Sequence, residues 1–151
     1  MTLTPKETAF LKDLIKEEQL CVARFGQHAE NACDPCLKTL FTDIMSEEQE
    51  HLDTLNDMAA GGCPQIGYEQ VKRTPPPPST PSKVSASDKK RDAYLCHDAL
   101  SAEKFTSGAY DTAVYEFCNS DLRRALNHIQ TEEQRHGEMI YNYMKTNNMY
   151  K

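Results

Sequence analysis

The first half of this chain lies on the second without a gap. Moving it forward by 85 residues sets Asp13 on Asp98, Glu18 on Glu103, Cys33 on Cys118, Leu37 on Leu122 and Ile44 on Ile129. The same shift lays Glu47, Glu48, Gln49 and His51 on Glu132, Glu133, Gln134 and His136, so SEEQEHLD and TEEQRHGE are equivalent segments. Such a repeat means that one structural unit is used twice. Apolar residues recur at spacings of three and four, which makes that unit a pair of amphipathic helices. Leu11, Leu14, Ile15, Val22 and Phe25 form the buried stripe predicted for the first helix, and Leu37, Phe41, Ile44, Leu55 and Met58 that of the second. Leu100, Tyr110, Val114 and Phe117 mark the third, and Leu122, Leu126, Ile129 and Ile140 the fourth. Asp34 before Pro35 predicts a capped start for helix two, and Asn119 the same for helix four.

The prediction is one all-α domain over 1–151, a four-helix bundle of two hairpins, 5–60 and 88–147, related by a pseudo-two-fold axis. Between them runs GGCPQIGYEQVKRTPPPPSTPSKVSAS, residues 61–87, rich in Pro, Ser and Gly. Antiparallel neighbours need only a few connecting residues, whereas this segment has 27. Crossing a bundle of roughly 40 Å takes about 12 extended residues, so the segment is expected to cross its whole length and leave a loose strap outside. The Pro75–Pro78 run favours polyproline II.

A net charge of −6 without a basic run argues against a nucleic-acid partner and against adsorption to an anionic membrane. No window approaches the roughly 18 apolar residues of a membrane span, and the N-terminus lacks an export pattern. A cytoplasmic protein is therefore expected, with its six cysteines reduced.

Glu18 and Glu48 each lie 15 residues from Cys33, and Glu103 and Glu133 each lie 15 from Cys118. On helices folded back at those cysteines, the two members of each pair stand level, about 22 Å from the turn. Glu17 falls on Ala102 under the repeat, so Glu18 is the better candidate. His51 and His136 follow their glutamates by three, on the same helix face. That face is the buried stripe. Unpaired buried carboxylates cost several kcal/mol each, and two divalent cations would balance four of them. A Glu from each of two helices plus Glu-x-x-His from each of the others is the ligand set of dinuclear iron or manganese carboxylate sites. The expected metal ligands are thus Glu18, Glu48, His51, Glu103, Glu133 and His136, and the near-equal halves predict similar surroundings for the two ions.

Other features carry less. Tyr110, two turns beyond Glu103, is a hydrogen-bond partner of a ligand, a participant in one-electron chemistry, or a core tyrosine with a satisfied hydroxyl; the core reading is preferred, and Phe25 in the matching place weakens a symmetric role. Cys33-Asp-Pro-Cys36 sits at a helical turn and reads as a surface thiol pair. Without a second such pair there is no tetrathiolate iron centre, so any reductant is external. His28, His97 and His128 have no carboxylate partner at ligand spacing and read as surface or edge residues.

The segments LTPKETAFLKDLIKEEQLC, DPCLKTLF, EEQEHLDTLNDM, LSAEKFTSGAYDTAVYEF and NHIQTEEQRHGEMIYNYM resemble the coat-F-type spore coat proteins of spore-forming Firmicutes. The resemblance implies a ferritin-like fold, incorporation into the spore coat after synthesis in the mother-cell cytoplasm, and copies of itself or other coat proteins as partners. A more distant similarity, to rubrerythrins and manganese catalases, rests on the Glu and Glu-x-x-His pattern and implies redox chemistry on peroxide or dioxygen. Two functions follow: a coat building block whose two iron or manganese ions tie the helices together, or an oxidoreductase acting through those ions. Iron storage is a weaker third, because no further acidic cluster is visible.

Overall fold

The computed structural model describes residues 2–66 and 72–150. It contains four long helices, α1 (Pro5–Asn31), α2 (Pro35–Ala59), α3 (Ala86–Val114) and α4 (Ser120–Thr146), and no strand among the described residues. The chain is the expected all-α four-helix bundle. Helix α1 packs chiefly on α2 and α3 on α4, with α1 against α3 and α2 against α4 across the middle.

Local chemistry sets the ends of the helices. Asp34 caps α2 by accepting from the Cys36 N–H at 3.0 Å, and Pro35 opens the first turn with a preset φ and no N–H to satisfy. Asn119 caps α4 by accepting from the N–H groups of Asp121 and Leu122. Thr4 and Glu7 form a capping box on α1. Helix α3 begins before residue 88, because Ser85 accepts from the Asp88 N–H and starts the helix inside the segment predicted to be linker. Gly61, at φ 93°, ends α2 in the left-handed conformation that glycine adopts without strain.

Each hairpin is clamped by the start of the other's first helix. Near the start of α3, Asp92 is fully buried and accepts from the N–H groups of Cys33 and Asp34, at 2.7 and 3.0 Å, in the α1–α2 turn. Near the start of α1, Glu7 accepts from the Cys118 N–H at 2.8 Å in the α3–α4 turn. Helices α1 and α3 therefore run antiparallel. Glu7 and Asp92 are themselves 85 residues apart, so both clamps obey the repeat.

The core is divided in two. One apolar cluster, including Phe25, Leu37, Phe41, Ile44, Ile140 and Tyr143, fills the end at the α1–α2 turn. The other, including Leu11, Leu14, Leu55, Leu122 and Leu126, fills the end at the α3–α4 turn. The predicted stripes of α2 and α4 are all buried. On α1, however, Ile15 and Val22 are only half-buried, and Cys21 takes the inner place beside Val22. On the α3 side, Val114 is half-buried beside a buried Ala113, and Phe117 is buried beyond the end of the helix, in the turn.

The crossover is tied down rather than loose. Lys72 pairs with Glu50 at 2.8 Å, Thr74 donates to Glu138 at 2.7 Å, and Thr146 donates to the Pro78 carbonyl at 3.3 Å. The Ser82 N–H donates to the buried Asn147 at 2.7 Å. These anchors follow α2 and α4, so the segment covers that face of the bundle; residues 67–71 of it lie outside the described residues.

Replacing Asp92 by Ala strands two N–H groups in the α1–α2 turn. The expected cost is about 2–3 kcal/mol, a fall of roughly 5–10 °C in the thermal unfolding midpoint for a chain of this size. Scanning calorimetry of Asp92→Ala beside the wild type measures it, and an unchanged midpoint would remove the clamp from the account.

Candidate metal centre

Between the two apolar clusters lies a polar layer that the helices force inward. Glu48, His51, Glu133 and His136 continue the buried stripes of α2 and α4, while Glu18 and Glu103 occupy inward positions on α1 and α3. All six are at most 3 % exposed. One ligand-capable atom from each of Glu18, Glu48, His51 and Glu133 falls within 4.8 Å of the others, and the same holds for Glu48, Glu103, Glu133 and His136. The structure thus brings together all six residues singled out in the sequence. Glu48 and Glu133 belong to both groups.

Both imidazoles present Nδ1 to the interior. His51 Nδ1 lies 3.1 Å from Glu133, 3.2 Å from Glu48 and 3.9 Å from Glu18; His136 Nδ1 lies 3.3 Å from Glu48 and 3.6 Å from Glu103. The rings stack across the layer with centroids 5.6 Å apart. Their outer nitrogens cross to the opposite hairpin, His51 Nε2 meeting Glu132 and His136 Nε2 meeting Glu47, each at 2.9 Å. A carboxylate on the far nitrogen fixes the ring and its tautomer and raises its basicity, the usual support of a metal-binding histidine.

Glu47 and Glu132 fall on each other under the repeat, and their spacing alone assigns them no role. The signal was available, since a second glutamate precedes each Glu-x-x-His; what could not be read was that each one serves the histidine of the other half. Arg135 bonds Glu47 from the outer side. His128 approaches Glu132 at 3.5 Å and His28 bonds Asp98 at 2.8 Å, both half-buried at the edge of the bundle. Tyr110 is fully buried and donates its hydroxyl to Glu18 Oε1. Cys33 is half-buried and Cys36 exposed, with both thiols free.

Electrostatics shows how unsettled this layer is by itself. Burial, together with the charges of Glu48 and Glu133, raises Glu18 well above the usual carboxylate range. Burial and the Glu48 charge do the same to Glu103, and burial with Glu103 and Glu48 does so to Glu133. Burial also opposes charge on Glu48, but bonds from His136 and His51 outweigh it and pull its pKa well down. Burial disfavours both imidazolium ions, yet the surrounding carboxylates prevail: His51 rises well above its ordinary value and His136 rises to about 9.

Whether this donor set suits a metal is decided by the atoms left over. Glu18 Oε2, Glu48 Oε1, both oxygens of Glu103, both oxygens of Glu133 and His136 Nδ1 are buried without a hydrogen-bond partner. Buried polar atoms without partners are rare and costly. These are the inward-facing atoms of the layer, carboxylate oxygens with an imidazole nitrogen, a combination that suits iron or manganese. The fit is good.

These observations define a class: a four-helix bundle with a carboxylate–histidine centre at its middle and an outer crossover. Residues 91–151 match the family model of the Coat F domain. The matched stretch takes in most of α3 and all of α4, in agreement with the resemblance read from the sequence. Comparison with curated proteins and with solved structures gave no match. Among the described residues no helix is long and apolar enough to cross a membrane.

The pKa directions fix a pH dependence for the metal-free protein. His136 is raised from 6.5 to about 9, so its contribution to stability is complete below pH 6.5 and lost as pH climbs through 9. Glu18, Glu103 and Glu133, also raised, act in the same sense, losing their contribution as pH rises through their elevated values. Metal-free protein is therefore expected to unfold at a lower temperature at pH 9 than at pH 6, and added manganese should narrow the gap. Thermal melts at both values, with and without the ion, check this; greater metal-free stability at pH 9 would contradict it.

Proposed function

We propose that this chain is a spore coat or coat-associated protein that holds a dinuclear iron or manganese centre through Glu18, Glu48, His51, Glu103, Glu133 and His136. The observation that carries the reading is the set of buried, unpartnered ligand atoms converging from four helices. Glu18 and His51 would serve one ion and Glu103 and His136 the other, with Glu48 and Glu133 shared. Glu132 and Glu47 hold the imidazoles so that Nδ1 faces the ions, and Tyr110 fixes one oxygen of Glu18. Bound ions would replace the protons that the imidazoles and the raised carboxyls otherwise retain. Each hairpin supplies half of the ligands, so the metals would tie the halves together and stiffen a building block. Other coat proteins or copies of the chain are its partners, and the mother-cell cytoplasm is its place of synthesis.

A second reading, an oxidoreductase acting on peroxide or dioxygen, is favoured by one contact. Tyr110, an oxidisable side chain, bonds directly to the expected ligand Glu18 in a buried site. When bound, the two ions would supply reversible redox change toward such a substrate.

Protein purified without chelator is expected to contain close to two iron or manganese ions per chain by elemental analysis. Glu48→Ala and Glu133→Ala should each lower both metal content and melting temperature, because ligand binding is coupled to folding. Unchanged metal content in both variants would refute the ligand assignment. A peroxide-consumption assay on the same preparation separates the readings, since turnover favours the oxidoreductase and a loaded but inert protein favours the building block.

A further inference from the structure

Close to the centre the repeat breaks at several positions, three of which touch a candidate ligand or its support. Tyr110 stands where the first half has Phe25, Arg135 where it has Glu50, and His128 where it has Asp43. Each break alters the surroundings of one ion position and leaves the other as it was. Let M1 be the position of Glu18 and His51, and M2 that of Glu103 and His136.

At M1, Glu18 Oε1 is engaged by the Tyr110 hydroxyl, and Oε2 remains its unpartnered oxygen. An ion that used both oxygens would have to share Oε1 with the phenol hydroxyl, which makes that oxygen the weaker donor. At M2 both oxygens of Glu103 are unpartnered, and Phe25, in the place equivalent to Tyr110, has no hydroxyl to offer. Glu103 can therefore chelate with two free oxygens, whereas Glu18 offers one free oxygen and one already engaged by Tyr110.

The histidine supports differ in the same direction. Glu47, behind His136, is pinned by Arg135 and lies 3.9 Å from the strap's Lys72. Glu132, behind His51, is approached among the described residues by His128 at 3.5 Å and feels the Lys72 charge from farther off, but no arginine pins it. Lys72 also pairs with Glu50 at 2.8 Å, so Arg135 and Lys72 are matched by Glu47 and Glu50 and place no net positive charge beside M2. The two surroundings differ by at most about the charge of one histidine; donor number and bracing then decide.

We infer that the two positions are unequal, M2 holding its ion tightly and M1 exchanging it, with Tyr110 as the positioning residue that sets M1 apart. This rests on the dinuclear reading above and replaces the similar surroundings expected from the repeat.

The test is a titration of the metal-stripped full chain with manganese(II) alone, with the free ion followed by electron paramagnetic resonance. Two steps are expected, separated by at least about tenfold in Kd, the lower end of what supporting residues contribute to metal affinity. Tyr110→Phe frees the second oxygen of Glu18 and keeps the ring, so the weak step should tighten severalfold while the strong step stays. Glu18→Gln should abolish the weak step and Glu103→Gln the strong one. Two equal steps in the wild type, an unaltered gap in Tyr110→Phe, or loss of the strong step in Glu18→Gln would each overturn the inference and leave the dinuclear reading intact. No bound manganese at all would overturn both.

Discussion

Four carboxylates and two imidazoles at one level of a helical bundle set the terms for everything around them. Without a metal the layer can lower its energy only by moving protons, raising the imidazoles and three of the carboxyls while Glu48 stays ionised. That compromise still leaves buried oxygens without partners. Apolar packing on both sides must offset the deficit, and the core is accordingly split into two clusters with the layer between them.

Holding six ligand-capable side chains from four helices within a few ångströms requires the helices to be fixed in register, and the clamps at the two turns do this. Asp92 and Glu7 each seat the start of one hairpin against the turn of the other, so the hairpins cannot slide without breaking both. Crossed support of the histidines adds a third tie at mid-height: each imidazole is held by a carboxylate of the opposite half. The strap works on the same face, where Lys72 reaches both Glu50 and Glu47. A segment that is irregular in sequence is thereby connected to the carboxylate that supports His136.

Much of this was legible in the sequence because a gapless repeat converts spacing into geometry. The level of Glu18 with Glu48, the inward face of His51, and the caps at Asp34 and Asn119 all follow from counting residues on helices joined by short turns. What escaped depends on side chains crossing between elements. Helix α3 buries small residues, Ala99, Ala102, Thr106 and Ala113, which give a weak apolar signal, and its start at Ser85 was hidden in a Ser-rich stretch. Tyr110 lies closest to Glu103 in sequence, yet it bonds Glu18 of the other half, a pairing that periodicity along one helix cannot reveal. The roles of Glu47, Glu132 and Arg135 were out of reach for the same reason, as was the anchoring of the crossover, whose composition reads as a spacer.

The central claim is that this polar layer exists to hold two metal ions, and anomalous diffraction at the iron and manganese absorption edges tests it most directly. Crystals of protein never exposed to a chelator are predicted to show two peaks between the apolar clusters, one beside Glu18 and His51 and the other beside Glu103 and His136, with Glu48 and Glu133 touching both. Clear density for all six side chains with no anomalous peak among them, or peaks only at the cysteines of the turns, would contradict it.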